Sequence, residues 1–404
     1  MSRADSAPVL VAARRTAIST SGRRFATVTA DALAAPVLAA VADAVAPLGR
    51  EVDDVILGNC MGPGGDLARV AALRAGLGVH VPGVTVDRQC GSGLDAVVQA
   101  ASRVRAGDAS LVLAGGAESA STAPHRAWPD TGERYARAPF APPGVPDPDM
   151  GPAAEHLARV RGISRSRQDG WAARSHARAV AAQAAGRFDG EIVAVGDIVR
   201  DDRPRASMDA AMLARFAPAF PLAAAGRPER DAMDAAAGMH RLGTADPAAG
   251  SVTAGNSCGF SDGAAAMAVT TARLARGAGG PALRVRAAAV AAGDPSLPGL
   301  GAAWAARRAL ARAGVTAREL GFVEITEAFA AQVLAVSDEL GLDEETISGD
   351  GGAIALGHPW GASGAVLLVR LAARMAATDD ARPGLAACSI GGGQGVAMIV
   401  ERVA

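Results

Sequence analysis

Two glycine-rich turns each place one reactive side chain directly before a stretch of helical periodicity. The first turn is Asp87–Gly93, which contains Cys90. A thiol at a helix N-terminus lies next to free backbone N–H groups and the positive end of the helix dipole, which favour the thiolate that attacks acyl groups. The sequence therefore predicts that Cys90 is a nucleophile with a lowered thiol pKa. The alternative is that it is a small buried apolar side chain.

The second turn is Gly357–Gly364, in which His358 stands between glycine and proline. An imidazole held there could take the proton of a thiol as a general base and could donate a hydrogen bond to an oxyanion. A lone histidine is more often structural, so the prediction depends on the glycine-rich surroundings. The remaining histidines show no metal-ligand spacing, and no metal site is predicted. They are His80, His125, His156, His176 and His240.

A third glycine-rich cluster, Cys388–Gly395, follows an apolar stretch typical of a strand. Its backbone N–H groups could stabilise an oxyanion. Glycine clusters are more often plain turns, and this one does not open a helix with an acidic ribose ligand beyond it. The cluster is therefore not a dinucleotide fingerprint.

The elements that must position these turns alternate between short apolar strands and alanine-rich helices, which predicts an α/β fold. The stretch after Gly93 has apolar residues at helical spacing, ends near Gly107 and precedes a strand at 111–113. The stretch after Gly364 repeats this scheme. Both units finish in a glycine cluster, so we expect a weak internal duplication, with two similar halves packed together.

The region between the halves differs in composition. Residues 119–150 contain seven prolines, too many for a helix or a central strand, so this segment is predicted to be an extended loop. A helical segment is expected from about Pro152 to Gly186, followed by irregular arginine-rich sequence up to Gly250. Long insertions of this kind are usually lids or binding loops, and an oligomer contact is the alternative.

Composition excludes several classes of function. The chain has 404 residues, 50% of them hydrophobic, and a formal net charge of −1. It contains no lysine, which excludes Schiff-base chemistry on a side-chain amine and a phosphate-loop lysine. The balanced charge and an aromatic content of 3% argue against nucleic-acid binding.

The compartment is predicted from cysteine usage and from the chain start. The four cysteines are far apart in sequence, without the spacing of zinc or redox motifs, and we expect no disulfides. The first residues lack the features of a secretory signal, and no uninterrupted apolar window predicts a membrane span. We therefore expect a cytoplasmic protein with no membrane partner.

Taken together, these stretches resemble the thiolase family, whose enzymes make or cleave 3-oxoacyl-CoA thioesters. The resemblance covers nearly the whole chain through an ordered series of motifs. These are Ala13–Ala17, Leu57–Asn59, Gln89–Gly93, Ala114–Ser119, Met150–Gly151, Thr253–Asn256, Ser261–Ala265, Glu327–Phe329 and Gly352–Pro359.

The resemblance implies a five-layered α-β-α-β-α fold with two duplicated halves and an inserted loop domain that covers CoA. It places the first half at residues 1–118 plus 250–272, the loop domain at 119–249 and the second half at 273–404. It also implies a homodimer or homotetramer, and no cofactor other than the CoA thioester that is the substrate.

The resemblance also implies roles for residues. Cys90 is acylated, His358 activates it, and the N–H groups of Cys90 and Gly391 form one oxyanion hole. His358 and a water held by an asparagine form the second hole, and a second cysteine deprotonates the α-carbon of the second substrate. The implied substrate-binding and CoA-binding residues are Met150, Ser257, Cys258, Gly259 and Phe329. The arginines of the loop domain could contact CoA phosphates, but none of Arg203, Arg205 and Arg215 is favoured.

Two positions of the second half-reaction depart from the family pattern. Ser389 occupies the place of the second cysteine, while Cys388 lies one residue too early and would face the other side of a strand unless the backbone bulges. A serine is a poor α-carbon base. Thr326 replaces the asparagine of the Asn-Glu-Ala-Phe motif. In addition, residues 220–249 look like extra length near the expected CoA site.

These departures leave three hypotheses open. The first is an acyl-CoA acyltransferase that works through acyl-Cys90, with Claisen condensation or thiolysis as its reaction. The second is an acyltransferase that passes the acyl group to an amine, a hydroxyl or a thiol and has lost Claisen chemistry. The third is a non-catalytic subunit that binds CoA or a partner enzyme. The sequence does not give the acyl chain or the direction of the reaction.

Overall fold

The computed structural model describes residues 5–220 and 250–403, so nearly all of the extra segment 220–249 lies outside the described residues. The strands are β1 Pro8–Thr16, β2 Ser19–Thr20, β3 Asp54–Gly58, β4 Gly83–Val86, β5 Leu111–Ser119, β6 Arg126–Ala127, β7 Arg134–Tyr135, β8 Ile192–Val193, β9 Ser261–Thr271, β10 Ala282–Ala292, β11 Phe322–Ile325, β12 Gly384–Ile390 and β13 Gln394–Arg402. The helices are α1 Ala30–Val45, α2 Leu67–Arg74, α3 Ser92–Ala106, α4 Met150–Val160, α5 Arg165–Ala184, α6 Ala210–Leu213, α7 Ala272–Ala275, α8 Gly301–Ala313, α9 Ala330–Leu340, α10 Ala353–Leu356 and α11 Trp360–Ala376.

The strand order shows the duplication directly. The first half has the order β4-β3-β5-β9-β1 and the second half β11-β12-β13-β10, and antiparallel pairing of β1 with β10 joins them. In the first half β3 and β5 are parallel, and β9 and β1 return antiparallel. The second half repeats this pattern with β11, β12, β13 and β10. The two halves therefore share one topology.

Among the described residues, three buried apolar clusters separate the layers. The central cluster contains α3, α11 and the facing sides of both halves of the sheet. A second cluster packs α1 and α2 on the outer side of the first half, and a third packs α8 and α9 on the outer side of the second. Strand alternation supplies both faces: Ala386 and Cys388 of β12 belong to the central cluster, and Leu385 and Ala387 to the outer one. The expected five-layered α-β-α-β-α fold is confirmed.

Glycines allow α3 and α11 to meet at their N-termini. A Cβ on Gly93 would lie 2.7 Å from the carbonyl oxygen of Gly361, and one on Gly364 would lie 2.5 Å from the backbone nitrogen of Leu94. Only glycine permits backbones to approach this closely. Since Cys90 and His358 each precede one of these contacts by three residues, the close approach brings their turns to one place.

The inserted region differs from the sequence prediction in one respect. The single helical segment predicted from about Pro152 to Gly186 is wrong, because two helices occupy it. The chain turns at Gly162, which has a φ of +64°, and the hydroxyl of Ser164 accepts a hydrogen bond from the backbone N–H of Arg167 at the start of α5. A cap of this type begins a new helix rather than continuing the previous one.

A buried charge cluster ties this inserted region to both halves. Arg15 on β1 pairs with Glu191 at 2.6 Å and with Asp201 at 2.7 Å. Arg370 on α11 pairs with the same Glu191 and with Asp350. The two guanidinium groups also lie over the ring of Phe188, 5.2 and 4.5 Å from its centroid. The carboxylate of Glu191 therefore connects the central helix α11 to β1, the strand at the junction of the two halves.

Helix α1 and the turn after it, Ala30–Leu48, are long and apolar enough to span a membrane by length and composition alone. In the fold, Leu33, Val37, Leu38 and Val41 of this helix are buried in the outer cluster of the first half. One apolar stripe packed on a sheet is typical of a core helix.

Candidate active site

The turn that carries Cys90 has an unusual backbone. A short helical turn, Gln89–Gly91, precedes α3, and Gln89 has a φ of +45°, which a non-glycine residue rarely adopts. The hydroxyl of Ser92 accepts a hydrogen bond from the N–H of Arg88 at 2.8 Å and donates to the carbonyl of Gln89 at 2.6 Å. These bonds hold Cys90 half-buried at the start of the helix.

The predicted lowering of the Cys90 pKa is wrong. Burial of the sulfur raises the pKa of Cys90 well above its usual range, and ionisation of the neighbouring Cys258 or Cys388 would raise it further. The backbone N–H of Cys90 lowers the pKa by less. Desolvation of a charged form thus outweighs the helix N-terminus. Cys90 is therefore a thiol at rest, and a base must remove its proton before it can attack an acyl group.

His358 has the properties of that base. Its backbone N–H lies 3.2 Å from the hydroxyl of Ser261 and 3.3 Å from the carbonyl of Gly259, which fixes the turn. Its Nδ1 is 2.6 Å from the hydroxyl of Ser363. Its Nε2 is buried and has no hydrogen-bond partner among the described residues. Burial lowers the pKa of His358 to about 4, so the imidazole is neutral at pH 7. When Nδ1 carries the hydrogen and donates to Ser363, Nε2 is free to accept a proton.

The turn after β12 lies against the Cys90 turn. A Cβ on Gly91 would collide with the side chain of Ile390, and Nη1 of Arg88 lies 3.3 Å from the side-chain oxygen of Gln394. Gly391 is therefore next to the Cys90 turn, where the sequence predicts an oxyanion-binding N–H. Phe140 from the proline-rich segment covers Gly391 from the other side.

Ser389 and Cys388 point to opposite faces of β12. The pairing of β12 with β13 is unbroken from Gly384 to Ile390, so no bulge exchanges the two side chains. The hydroxyl of Ser389 donates to the carbonyl of Gly299 at 2.7 Å and accepts from the N–H of Ala302 at 3.1 Å. Ser389 thus faces the outer helices and is tied to the N-terminus of α8.

Cys388 is fully buried in the central cluster, and its Sγ lies 3.2 Å from Oγ1 of Thr326. Thr326 follows β11 and is itself buried. The hydroxyl of Thr326, which stands where the family pattern has a water-binding asparagine, therefore has the thiol of Cys388 as its partner. Burial raises the pKa of Cys388 to about 12.

The segment that contains Ser257, Cys258 and Gly259 connects the two sides of the site. The N–H of Cys258 donates to the carbonyl of Ala328 at 2.9 Å, and the carbonyl of Gly259 accepts from His358. The hydroxyl of Ser257 donates to the carbonyl of Thr253 at 2.7 Å, which is a bond within its own turn. Of the two polar side chains in this segment, only the thiol of Cys258 has no such local bond.

An apolar wall lies beside this segment. Met150 begins α4, and a Cβ on the next residue, Gly151, would collide with the ring of Phe220. The ring of Phe220 lies 6.4 Å from that of Phe329, edge to face. Phe220 therefore lies between the start of α4, where Met150 stands, and the predicted residue Phe329.

Sequence reasoning missed several residues of the site. Phe220 stands at the start of a segment that was only recognised as extra length. Ser363 follows His358 by five residues, and this spacing gives no chemical signal in the sequence. Glu118 is buried and accepts hydrogen bonds from Asn59, from the thiol of Cys60 and from the N–H of Gly361, which joins the first strands to α11.

A duplicated five-layered α/β fold with a cysteine and a histidine at its two central helix N-termini defines a class, the acyltransferases that use a thiol. The family model for the thiolase N-terminal domain matches residues 8–226, and the model for the thiolase C-terminal domain matches residues 280–402. The chain belongs to the thiolase family, as its motifs indicate.

Relatives extend this match over the full length. An acetyl-CoA acetyltransferase of Cupriavidus necator is 40% identical and covers 98% of this chain and 99% of its own. A 3-ketoacyl-CoA thiolase of Escherichia fergusonii is 40% identical over 87% of each chain. The crystal structure of the Bacillus anthracis acetyl-CoA acetyltransferase superposes with a TM-score of 0.84 at 34% identity and covers 100% of both chains.

Proposed function

We propose that this protein transfers acyl groups of CoA thioesters by thiolase chemistry, through an acyl-Cys90 intermediate. One observation carries the proposal: the Cys90 turn and the unpartnered Nε2 of a neutral His358 lie at two helix N-termini that are in contact. The relatives are acetyl-CoA acetyltransferases and a 3-ketoacyl-CoA thiolase, which supports acetyl-CoA and 3-oxoacyl-CoA thioesters as substrates here.

Acylation needs the groups of the central layer. Nε2 of His358 takes the proton of Cys90, and the thiolate attacks the thioester carbonyl. The oxyanion that forms accepts hydrogen bonds from the N–H groups of Cys90 and Gly391. The tetrahedral intermediate then breaks its bond to CoA sulfur, and the imidazolium returns the proton to the departing thiolate. The products are acyl-Cys90, free CoA and neutral His358.

The second half-reaction forms or breaks a carbon–carbon bond. A base removes a proton from the α-carbon of a second thioester, and the resulting enolate attacks the acyl-Cys90 carbonyl. The Cys90 thiolate then leaves and is reprotonated. Thiolysis is the reverse. No metal or redox cofactor enters either half, so we propose CoA thioesters as the sole small-molecule requirement.

The proposal includes a homo-oligomer in the cytoplasm. Strand β4 is the outermost strand of its sheet, and the neighbouring side chains Val70, Leu73 and Val79 are exposed to 42, 46 and 71%. An open edge beside exposed apolar side chains favours pairing with a second copy. Light scattering on the purified chain tests this, and a monomer at micromolar concentration would contradict it. Four free cysteines fit a reducing compartment.

A single experiment tests the function. The protein is incubated with acetyl-CoA in heavy water, and the masses of the protein and of the recovered thioester are measured by mass spectrometry. An acetyl adduct on Cys90 with deuterium in the acetyl methyl is the expected result. An adduct without deuterium would favour transfer to an amine, hydroxyl or thiol instead. Absence of an adduct with acetyl-CoA and with longer acyl-CoAs would favour a non-catalytic subunit.

A further inference from the structure

No residue has so far been assigned as the α-carbon base of the second half-reaction. The inference that follows rests on the proposed function. Ser389 commits its proton to the carbonyl of Gly299, and a hydroxyl ionises far less readily than a thiol. Cys388 is a thiol but is fully buried behind Thr326 in the central cluster. A base must touch the substrate, so neither side chain of β12 is suited to the task.

A third thiol lies in the site. Cys258 is half-buried, and its segment spans the gap between the Thr326–Phe329 loop and the His358 turn through the hydrogen bonds to Ala328 and from His358 to Gly259. Cys258 is also close enough to Cys90 for the two sulfurs to interact electrostatically. The fold thus brings a third thiol into the region that holds Cys90 and His358.

An incompletely paired cation stands beside this thiol. The guanidinium of Arg203 lies against Gly259, where a Cβ would collide with Nη1. Its one hydrogen bond among the described residues is a long one, 3.4 Å from Nη2 to the carbonyl of Ile354, and its Nε is buried without a partner. A buried cation is costly unless it has a counter-charge.

The two nearby carboxylates also have other partners. Asp201 is paired with Arg15, and Asp202 accepts hydrogen bonds from the hydroxyls of Ser19 and Thr20 at 2.8 and 2.9 Å. The cations Arg205 and Arg23 disfavour the charge of Arg203, whereas the carboxylate of Asp202 and an ionised Cys258 favour it, and Cys258 has the larger effect.

We propose that Cys258 is the α-carbon base of this enzyme and that Arg203 is the positioning residue whose charge stabilises its thiolate. Cys258 is a thiol at rest, and it first loses its own proton to solvent. The thiolate then accepts the proton of the α-carbon, and the C–H electron pair becomes the enolate. The enolate carbon bonds to the acyl carbonyl, the bond from that carbon to the sulfur of Cys90 breaks, and the proton on Cys258 passes to the departing Cys90 thiolate. No other reactant is needed.

The charges around Cys258 give the sign of a pH test. Burial raises its pKa to about 12, Arg203 acts in the opposite direction, and the carboxylate of Glu327 raises the pKa further. Removal of the Arg203 charge must therefore raise the pKa of Cys258 and move the alkaline limb of the α-proton exchange profile to higher pH. A structural role for Arg203 alone predicts a lower rate with an unchanged profile.

The experiment measures deuterium uptake into acetyl-CoA and acetylation of Cys90 in the same samples. Cys258→Ala is expected to reduce α-proton exchange by about 10²-fold or more and to reduce Cys90 acetylation far less, and the acetylation that remains shows that the variant is folded. Cys60→Ser, which removes a thiol but keeps a donor to Glu118, is the matched thiol control and is expected to exchange normally.

Other results would overturn the inference. Exchange at the wild-type rate in Cys258→Ala would do so, as would loss of exchange in Cys388→Ala but not in Cys258→Ala. Arg203→Gln is expected to shift the profile to higher pH, with Arg203→Lys shifting it less, and an unchanged profile would remove Arg203 from the proposal. If wild-type Cys90 is not acetylated, the proposed function fails; if it is acetylated and Cys258→Ala exchanges normally, only this inference fails.

Discussion

The two duplicated halves contribute unequal chemistry from equivalent places. Cys90 precedes α3 and His358 precedes α11, and the two helices occupy corresponding positions of one repeated topology. One half supplies a thiol whose pKa is raised by burial, and the other an imidazole whose pKa is lowered by it. Burial thus keeps both groups neutral, so the duplication yields a nucleophile and its base without a preformed ion pair.

A second contrast lies between the central layer and the ends of β11 and β12. The groups needed for acylation all lie where backbone contacts between glycines leave no room for larger residues. Ser389 and Thr326, the two positions that the sequence predicts to depart from the family pattern, lie at the ends of these strands, and each has a hydrogen-bond partner there. The predicted departures thus lie outside the glycine contacts that hold the acylation groups.

Replacement of Cys90 is expected to have the largest effect on turnover and tests the acylation side of this contrast. Cys90→Ala removes the acyl carrier, so we expect turnover to fall by about 10⁴-fold or more. Steady-state condensation or thiolysis assays with acetyl-CoA and acetoacetyl-CoA measure the loss. Substantial turnover in this variant would show that the acyl group is carried elsewhere.

Replacement of His358 is expected to have the next largest effect. His358→Asn removes the base, and acylation of Cys90 should slow by about 10²–10⁴-fold. Because burial lowers the pKa of His358 to about 4, the wild-type acylation rate should persist down to about pH 5 and fall as the pH approaches 4. A wild-type profile that falls near the ordinary histidine pKa of about 6.5 would show that His358 is more solvated than the structure indicates.

Ser363→Ala tests the orientation of His358 and should have a smaller effect. Without the hydroxyl 2.6 Å from Nδ1, the imidazole loses the partner that fixes its tautomer, and we expect acylation to slow by about tenfold. Rapid quench with mass spectrometry of acetyl-Cys90 measures the rate. Ser363→Thr retains the hydroxyl and serves as the control.

Ser389→Ala should have the smallest effect and sharpens the second contrast. The variant loses the hydrogen bonds to Gly299 and Ala302, so we expect the free energy of unfolding to fall by about 1 kcal/mol in denaturant titrations. Cys90 acetylation and α-proton exchange should both change by less than about threefold. A large loss of exchange would instead make Ser389 part of the enolate chemistry.

The sequence predicts the secondary structure of the site well where the signals are local. Helical spacing after Gly93 and the glycine at 107 predict a helix that the structure places at Ser92–Ala106. The alternation of β12 predicts that Cys388 and Ser389 face opposite sides, and the unbroken register confirms it. In each case the information lies within a few residues.

The remaining features depend on contacts between distant residues. Burial of the Cys90 sulfur depends on elements that follow it by more than 150 residues, so the helix N-terminus alone predicts the wrong direction for its pKa. Arg203 lies against Gly259, 56 positions later, and no spacing rule links the two. The boundaries at 118, 249 and 272 stay predictions, since strand pairing alone does not divide the chain.

The shared carboxylate of Glu191 has a consequence for how the molecule folds. Arg15 has both of its carboxylate partners, Glu191 and Asp201, in the inserted region, so its charge stays unpaired until β1 and this region have come together. Breaking a buried ion pair costs about 3–5 kcal/mol, so forms in which β1 has folded without the inserted region are expected to be poorly populated. The first half is thus expected to fold together with the inserted region, whereas Arg370 keeps Asp350 as a partner within the second half.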